Sequence, residues 1–321
     1  MKERIYNFSA GPAVLPIPVL DNIFQNIHSY QNTGIGLLEM SHRSSAFEEI
    51  LESTKTILKS LLSINDSYEI IFTTGGATNQ FSMIPMNLLS EKTTANFILT
   101  GVWSEKALEE ANKFGNTHIA ASSKNENYRT LPKTISLSDS PAYLHFTSNN
   151  TIYGTQWQTE PNVSNIPLIC DASSDFLHKK IDITKYDLVY AGAQKNLGTA
   201  GVTLVIIKKD LLKKSKDSLP LLMNYNTYTQ SNSLYNTPPT FSIFVLLEVL
   251  RWIENSGGLD FIEQNNLKKA NLIYSILDKY SDFYEAVAEK DARSLMNITF
   301  RLHNKDLEKK FLSEAEKNNF D

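Results

Sequence analysis

The sequence predicts an α/β fold, a mostly parallel sheet covered by helices on both faces, with a smaller α+β unit at its C-terminal end. Three observations predict it. Short apolar runs alternate with longer helix-periodic ones through most of the chain, the pattern of strand–helix–strand units. The runs Ile166–Asp171 and Asp187–Tyr190 read as short buried strands bounded by turn signals. The chain has 321 residues, 41% hydrophobic and 21% charged, enough for a substantial core of ordinary globular composition.

The elements follow in order. Residues 1–17 form an extended arm with Gly11, Pro12 and Pro16. From Ile17 to Tyr30 the spacing is helical, putting Leu20, Ile23, Phe24 and Ile27 on one face. A loop carrying His42 and Arg43 leads to a second helix, Phe47 to Leu62, with Ser44 or Ser45 as its cap and Glu48 in its first turn. Strands are expected at Glu69–Thr73, Asn96–Thr100, His118–Ala121, Ala142–Thr147, Ile166–Asp171, Asp187–Tyr190 and Val202–Ile207. A helix-like run is expected after Thr74-Gly75-Gly76-Ala77 as far as Leu89, and a helix from Ser104 to Phe114. Pro238–Trp252 and Leu259–Tyr280 are the two longest helical segments, separated by Ser256-Gly257-Gly258. A strand, Arg293–Arg301, and a helix, Asp306–Glu316, complete the chain. The organisation expected is an arm over 1–17, a large domain over 18–256 and a small domain over 257–321, with no clear linker.

Composition narrows the function classes. A formal charge of −4 gives no basic face for nucleic acid. Cys170 is the only cysteine, so no internal disulfide is possible, which fits a reducing compartment. The charged start Met1-Lys2-Glu3-Arg4 has no apolar run behind it, so a secretory signal is not expected. The apolar stretch Phe241–Leu250 is too short to span a bilayer. A cytoplasmic protein without a metal site is expected.

Chemistry concentrates at strand ends. Ala191-Gly192-Ala193-Gln194-Lys195-Asn196-Leu197-Gly198 follows a buried strand, and a lysine among small residues there is an odd place for a surface charge. An apolar wall would depress its pKa towards the neutral, reactive amine, and the small neighbours leave room for a flat ring. A solvated lysine in a Gly-rich turn is the plain alternative. Asp171, 24 residues upstream at another strand end, tips the balance, because a lysine plus a carboxylate is what a pyridoxal phosphate site requires. Gly75-Gly76-Ala77-Thr78 opens a helix where free N–H groups suit a phosphate, a weak signal taken alone. Trp103 reads by itself as core packing, Thr151 as a turn residue, and His42-Arg43 as a solvated loop. Asn236-Thr237-Pro238-Pro239 reads as a helix start, with Thr237 as N-cap. Cys170, inside an apolar strand, reads as a buried, inert thiol.

The N-terminal Tyr6-Asn7-Phe8-Ser9-Ala10-Gly11-Pro12, then Tyr190–Gly198 and Asn236-Thr237-Pro238-Pro239-Thr240, in that order, closely resemble the phosphoserine aminotransferase family. The resemblance implies a fold-type I pyridoxal phosphate enzyme that exchanges O-phospho-L-serine and 2-oxoglutarate for 3-phosphooxypyruvate and glutamate. Phosphohydroxythreonine is often a further substrate of the family. Lys195 would hold the cofactor and serve as the base, and Asp171 would keep the pyridine nitrogen protonated. Ala77, Thr78 and Gln194 would face the cofactor phosphate, Trp103 would stack on the ring, and Thr151 would donate to the phenolic oxygen. Some relatives carry Arg where this chain has Thr78. Asn236 and Thr237 would reach across a homodimer interface to the partner's cofactor phosphate. Arg43 would bind the substrate carboxylate, with His42 in the pocket for the substrate phosphate. Another small-acid aminotransferase, of the serine–pyruvate or alanine–glyoxylate type, is the alternative within the fold, and a non-catalytic binder of phosphorylated metabolites is the alternative outside it. The family normally runs some tens of residues further, with a His-Arg pair and another Arg. A chain ending at Asp321 is therefore expected to bind cofactor but hold phosphoserine poorly.

Overall fold

A computed structural model describes residues 4–321. In chain order the elements are α1 (Ile17–Asn26), α2 (Ser45–Leu62), β1 (Tyr68–Thr73), α3 (Gly76–Leu88), β2 (Thr94–Leu99), α4 (Val102–Ala111), β3 (Asn116–Ser122), β4 (Pro141–Thr147), β5 (Leu168–Asp171), β6 (Leu188–Gly192), β7 (Thr203–Lys208), α5 (Lys209–Leu212), α6 (Tyr225–Gln230), α7 (Thr240–Asn255), α8 (Gly258–Lys279), β8 (Tyr284–Ala286), β9 (Phe300–Leu302) and α9 (Asp306–Lys317). The first seven strands form one sheet in the order β1-β7-β6-β5-β4-β2-β3. Neighbours run parallel except where β7 lies antiparallel to both β1 and β6. Strands β1 to β6 therefore all point the same way.

Both faces of this sheet are covered, so its strands are apolar on both sides. In β6, Val189 and Ala191 join the core cluster that includes α2 and α7, while Leu188 and Tyr190 join the cluster on the opposite face. Helix α7 is apolar around nearly its whole circumference and is buried from Ser242 to Leu250. Its one charge in that stretch, Glu248, accepts from Asn22 Nδ2 of α1 and pairs with Arg251 at 2.8 Å, as a buried carboxylate must. Cys170 is buried and its thiol is pushed well up by burial, an inert state.

Local signals located most boundaries. Ser44 caps α2, accepting from the Phe47 N–H at 3.2 Å, with Glu48 in the first turn. Three segments depart from expectation. Helix α1 stops at Asn26, and Phe24 is 79% exposed, so Leu20, Phe24 and Ile27 do not share a buried face; Val19 is the buried position. Helix α7 starts at Thr240 rather than Pro238, with Pro239 at the cap and Thr237 exposed and outside it. A proline disfavours helical backbone at the residue before it, so two in succession delay the start. The run Arg293–Arg301 is strand only from Phe300, where β9 pairs with β8, an element the pattern did not signal. Residues 293–299 pack instead on the loop after β4: Ser294 N–H donates to the Gly154 carbonyl and Gln156 N–H to that of Ala292.

Candidate active site

Because six strands share a direction, the loops leaving their C-terminal ends gather at one edge of the sheet. Such an edge is where ligands bind in open α/β sheets. Five of these loops are 74–78 after β1, 100–103 after β2, 148–154 after β4, 172–175 after β5 and 193–198 after β6. They enclose a cavity of about 380 Å3 whose lining includes Gly76, Ala77, Thr78, Trp103, Thr151, Asp171, Gln194 and Lys195. A larger cavity of about 620 Å3 adjoins it, sharing Ala10, Ser174 and Lys195.

Lys195 is held from three directions. Its Nζ donates to Thr151 Oγ1 at 2.6 Å. Gly11 of the arm lies against its stem so closely that a Cβ there would stand 3.2 Å from Lys195 Cγ. The Ala13 N–H donates to the Gln194 carbonyl, tying the arm to the same loop. Burial depresses the amine's pKa, opposed by the negative charges of Asp171 and Asp175. Asp171 ends β5, is buried, and accepts from the Ser173 N–H at 3.0 Å. Burial raises its carboxyl, while the hydrogen bonds from Ser173 and the charge of Lys195 lower it.

The loops are fixed by their own polar groups. Asn150 Oδ1 accepts from the N–H groups of Ile152 and Tyr153, and its Nδ2 donates to the Thr100 carbonyl, shaping the turn that carries Thr151. Gly101 is obligatory beside it: φ is 150°, and a Cβ would fall 1.8 Å from Asn150 Nδ2. Asn149 is buried between three serine and asparagine side chains, donating to Ser174 Oγ and Asn297 Oδ1 and accepting from Ser294 Oγ. The first N–H groups of α3, after Gly75 at φ 85° and Gly76 at φ 65°, have no intrahelical acceptors.

The cavity suits a flat aromatic ring carrying an anionic group. Helix α3 offers its N-terminal dipole to the anion, and Trp103 stands in the wall with its buried Nε1 unpartnered. Thr147 Oγ1, also in the lining, is buried without a partner as well. Ala77, Thr78, Trp103, Thr151, Asp171, Gln194 and Lys195 thus come together. His42, Arg43, Asn236 and Thr237 do not line the cavity; Arg43, Asn236 and Thr237 are exposed. Gly11, Asn149, Ser173 and Ser174 also line one cavity or both around Lys195. In the sequence they are marked by position: each sits within a few residues of a strand end or the arm's turn. No cluster of His, Cys, Asp and Glu able to hold a metal occurs among the described residues, and no helix among them is long and apolar enough to cross a membrane.

A family model for aminotransferase class-V matches residues 5–317. A phosphoserine aminotransferase of Lysinibacillus sphaericus is 50% identical over 317 residues, which cover 98% of this chain and 88% of that protein. The solved structure of a phosphoserine aminotransferase from Bacillus circulans subsp. alkalophilus matches with a TM-score of 0.97 at 49% identity, over 99% of this chain and 89% of that one. A phosphoserine aminotransferase from Trichomonas vaginalis, solved with PLP bound, matches with a TM-score of 0.90 at 33% identity, over 98% and 90% of the two chains.

Proposed function

The chain belongs to the class-V aminotransferases and, among them, to the phosphoserine aminotransferases, and from that membership we propose a pyridoxal phosphate-dependent transamination between O-phospho-L-serine and 2-oxoglutarate, in the service of L-serine synthesis, at the cavity around Lys195. One observation carries it: a pKa-depressed lysine and a buried carboxylate face a single cavity whose wall includes an indole and a helix N-terminus. A pure binder needs neither the amine nor the carboxylate.

When bound, pyridoxal phosphate supplies an electron sink for the charge that develops at the substrate's Cα. The residues around it have distinct tasks. The N–H groups that open α3 and the side chains of Thr78 and Gln194 bind the phosphate. Trp103, in the cavity wall, would stand against the ring. Asp171 holds a proton on the pyridine nitrogen, which requires the carboxylate to stay ionised in a buried site. Lys195 Nζ, anchored by Thr151, takes the proton from Cα of the amino-acid substrate, and a depressed pKa makes the neutral amine available for that. The arm residues Ala10 and Gly11 cover the lysine and exclude water from it.

The enzyme acts as a homodimer in which Asn236 and Thr237 serve the partner's cofactor phosphate. Their exposure, away from their own chain's cavity, supports this reading. His42 and Arg43 bind the substrate phosphate and carboxylate; neither lines its own chain's cavity, so they too act across the interface. The reaction is tested by incubating cofactor-loaded protein with phosphoserine and 2-oxoglutarate. Glutamate formation dependent on phosphoserine is expected. Glutamate formed from alanine or serine but not from phosphoserine would move the protein to another small-acid aminotransferase class.

A further inference from the structure

Two buried polar side chains behind the cavity have no task so far. Strands β4, β5 and β6 are adjacent, and their register sets Asp171 beside Tyr190 on one side and Thr147 on the other. Successive residues of a strand alternate faces, so His145, Asp171 and Tyr190 rise from the same face of the sheet. His145 and Tyr190 are fully buried, and His145 Nε2 lies 2.9 Å from Tyr190 Oη. The other ring nitrogen of His145, Nδ1, is buried with no partner.

This asymmetry locates the protons. Burial brings the His145 pKa down to about 3, so the ring is neutral and carries a single N–H. An orphaned buried N–H is rarer in folded proteins than an orphaned acceptor, so the bare nitrogen is Nδ1 and the proton sits on Nε2. That N–H is donated to Tyr190 Oη, which leaves the phenol's own hydrogen for another acceptor. The neighbouring position on the same face of β5 is held by Asp171, a carboxylate. Burial, then the negative charge of Asp171, hold Tyr190 well above the usual tyrosine range. We propose that His145 and Tyr190 are positioning residues for Asp171: His145 Nε2–H donates to Tyr190, and Tyr190 O–H donates to the carboxylate, holding it ionised and aimed into the cavity. Both donors are neutral. They stabilise the carboxylate without a competing cation, so its charge remains available to the pyridine nitrogen, the role given to Asp171 above and the one on which this inference rests.

The test uses protein labelled with ¹⁵N-histidine, in cofactor-loaded and cofactor-free forms. The ring spectrum of His145 should report the neutral Nε2–H tautomer, persisting in mildly acidic buffer. An Nδ1–H tautomer would overturn the proposal even if every variant failed to fold. Tyr190→Phe removes one hydroxyl from a ring otherwise kept, and should lower kcat and weaken binding of pyridoxal 5′-phosphate to the cofactor-free protein by about tenfold each, with KM for phosphoserine unchanged. His145→Gln, whose Nε2 can donate from the same position, should restore most of what His145→Leu loses. A folded Tyr190→Phe protein with unchanged kcat and cofactor affinity would sink the relay. Asp171→Asn separates the two levels: if it is inactive while Tyr190→Phe is unimpaired, only the relay is wrong, and if it is fully active, the assignment of Asp171 is wrong.

Discussion

Lys195 Nζ donates to Thr151 Oγ1 at 2.6 Å, joining the loop after β6 to the turn after β4. These residues are 44 positions apart in sequence, and the contact exists only because β4, β5 and β6 lie side by side. Thr151→Val keeps the shape and removes the acceptor. We expect kcat to fall by about tenfold with little change in melting temperature, since a hydrogen bond to a charged or reacting group contributes about 1.5–3 kcal/mol. Thr151→Ser should recover most of the loss. Steady-state rates of the two variants check this, and equal rates for valine and serine would count against it.

The amine itself can be identified chemically. Borohydride treatment of the cofactor-loaded protein, followed by digestion and peptide mass analysis, should find the pyridoxyl group on Lys195, and Lys195→Ala protein should carry none. A label on any other lysine would displace Lys195 from the centre of the site.

Lys195 should also lower the stability of the cofactor-free protein. Its folded-state pKa lies below the ordinary 10.5 because burial outweighs the pull of Asp171 and Asp175. Between the two values the unfolded chain binds more protons, so stability rises with pH across that window. The full penalty is present at pH below the folded-state value. Cofactor-free Lys195→Met should therefore melt higher than the cofactor-free parent near neutrality, with the gap closing as pH approaches the ordinary lysine value. Thermal melts over that range decide it; a parent that melts higher throughout refutes it.

Asn149 ties the C-terminal segment to the catalytic loop through Ser174, Ser294 and Asn297. Asn149→Ala leaves several buried polar atoms unpaired and should cost about 3 kcal/mol in denaturant unfolding. Activity should fall as well, because the turn carrying Thr151 loses its anchor. A variant destabilised by that amount with undiminished kcat would make Asn149 purely structural.

Asn236→Ala should weaken cofactor retention although Asn236 lies outside its own chain's cavity. Mixing it with Lys195→Ala protein should restore activity, since one of the two sites in a mixed dimer keeps both residues. No recovery after verified subunit exchange would dismiss the composite site.

Much of this was legible residue by residue. Lys195 and Asp171 could be paired because each follows an apolar strand, and parallel strands deliver their following residues to one edge. The cap at Ser44 and the strand ends near Thr73, Leu99 and Thr147 were local too, since capping and turn chemistry act over a few residues. Elsewhere local preference lost. The antiparallel placing of β7 between β1 and β6 is not written in its own residues, and the two prolines together moved the start of α7 past Thr237. The tertiary structure alone brought Gly11 against the lysine, set His145 against Tyr190, and left His42, Arg43, Asn236 and Thr237 away from the cavity. The physical reason is range: backbone propensity and periodicity are properties of a short segment, whereas which side chains meet is set by strand order and register, and those follow from packing between residues far apart in the chain.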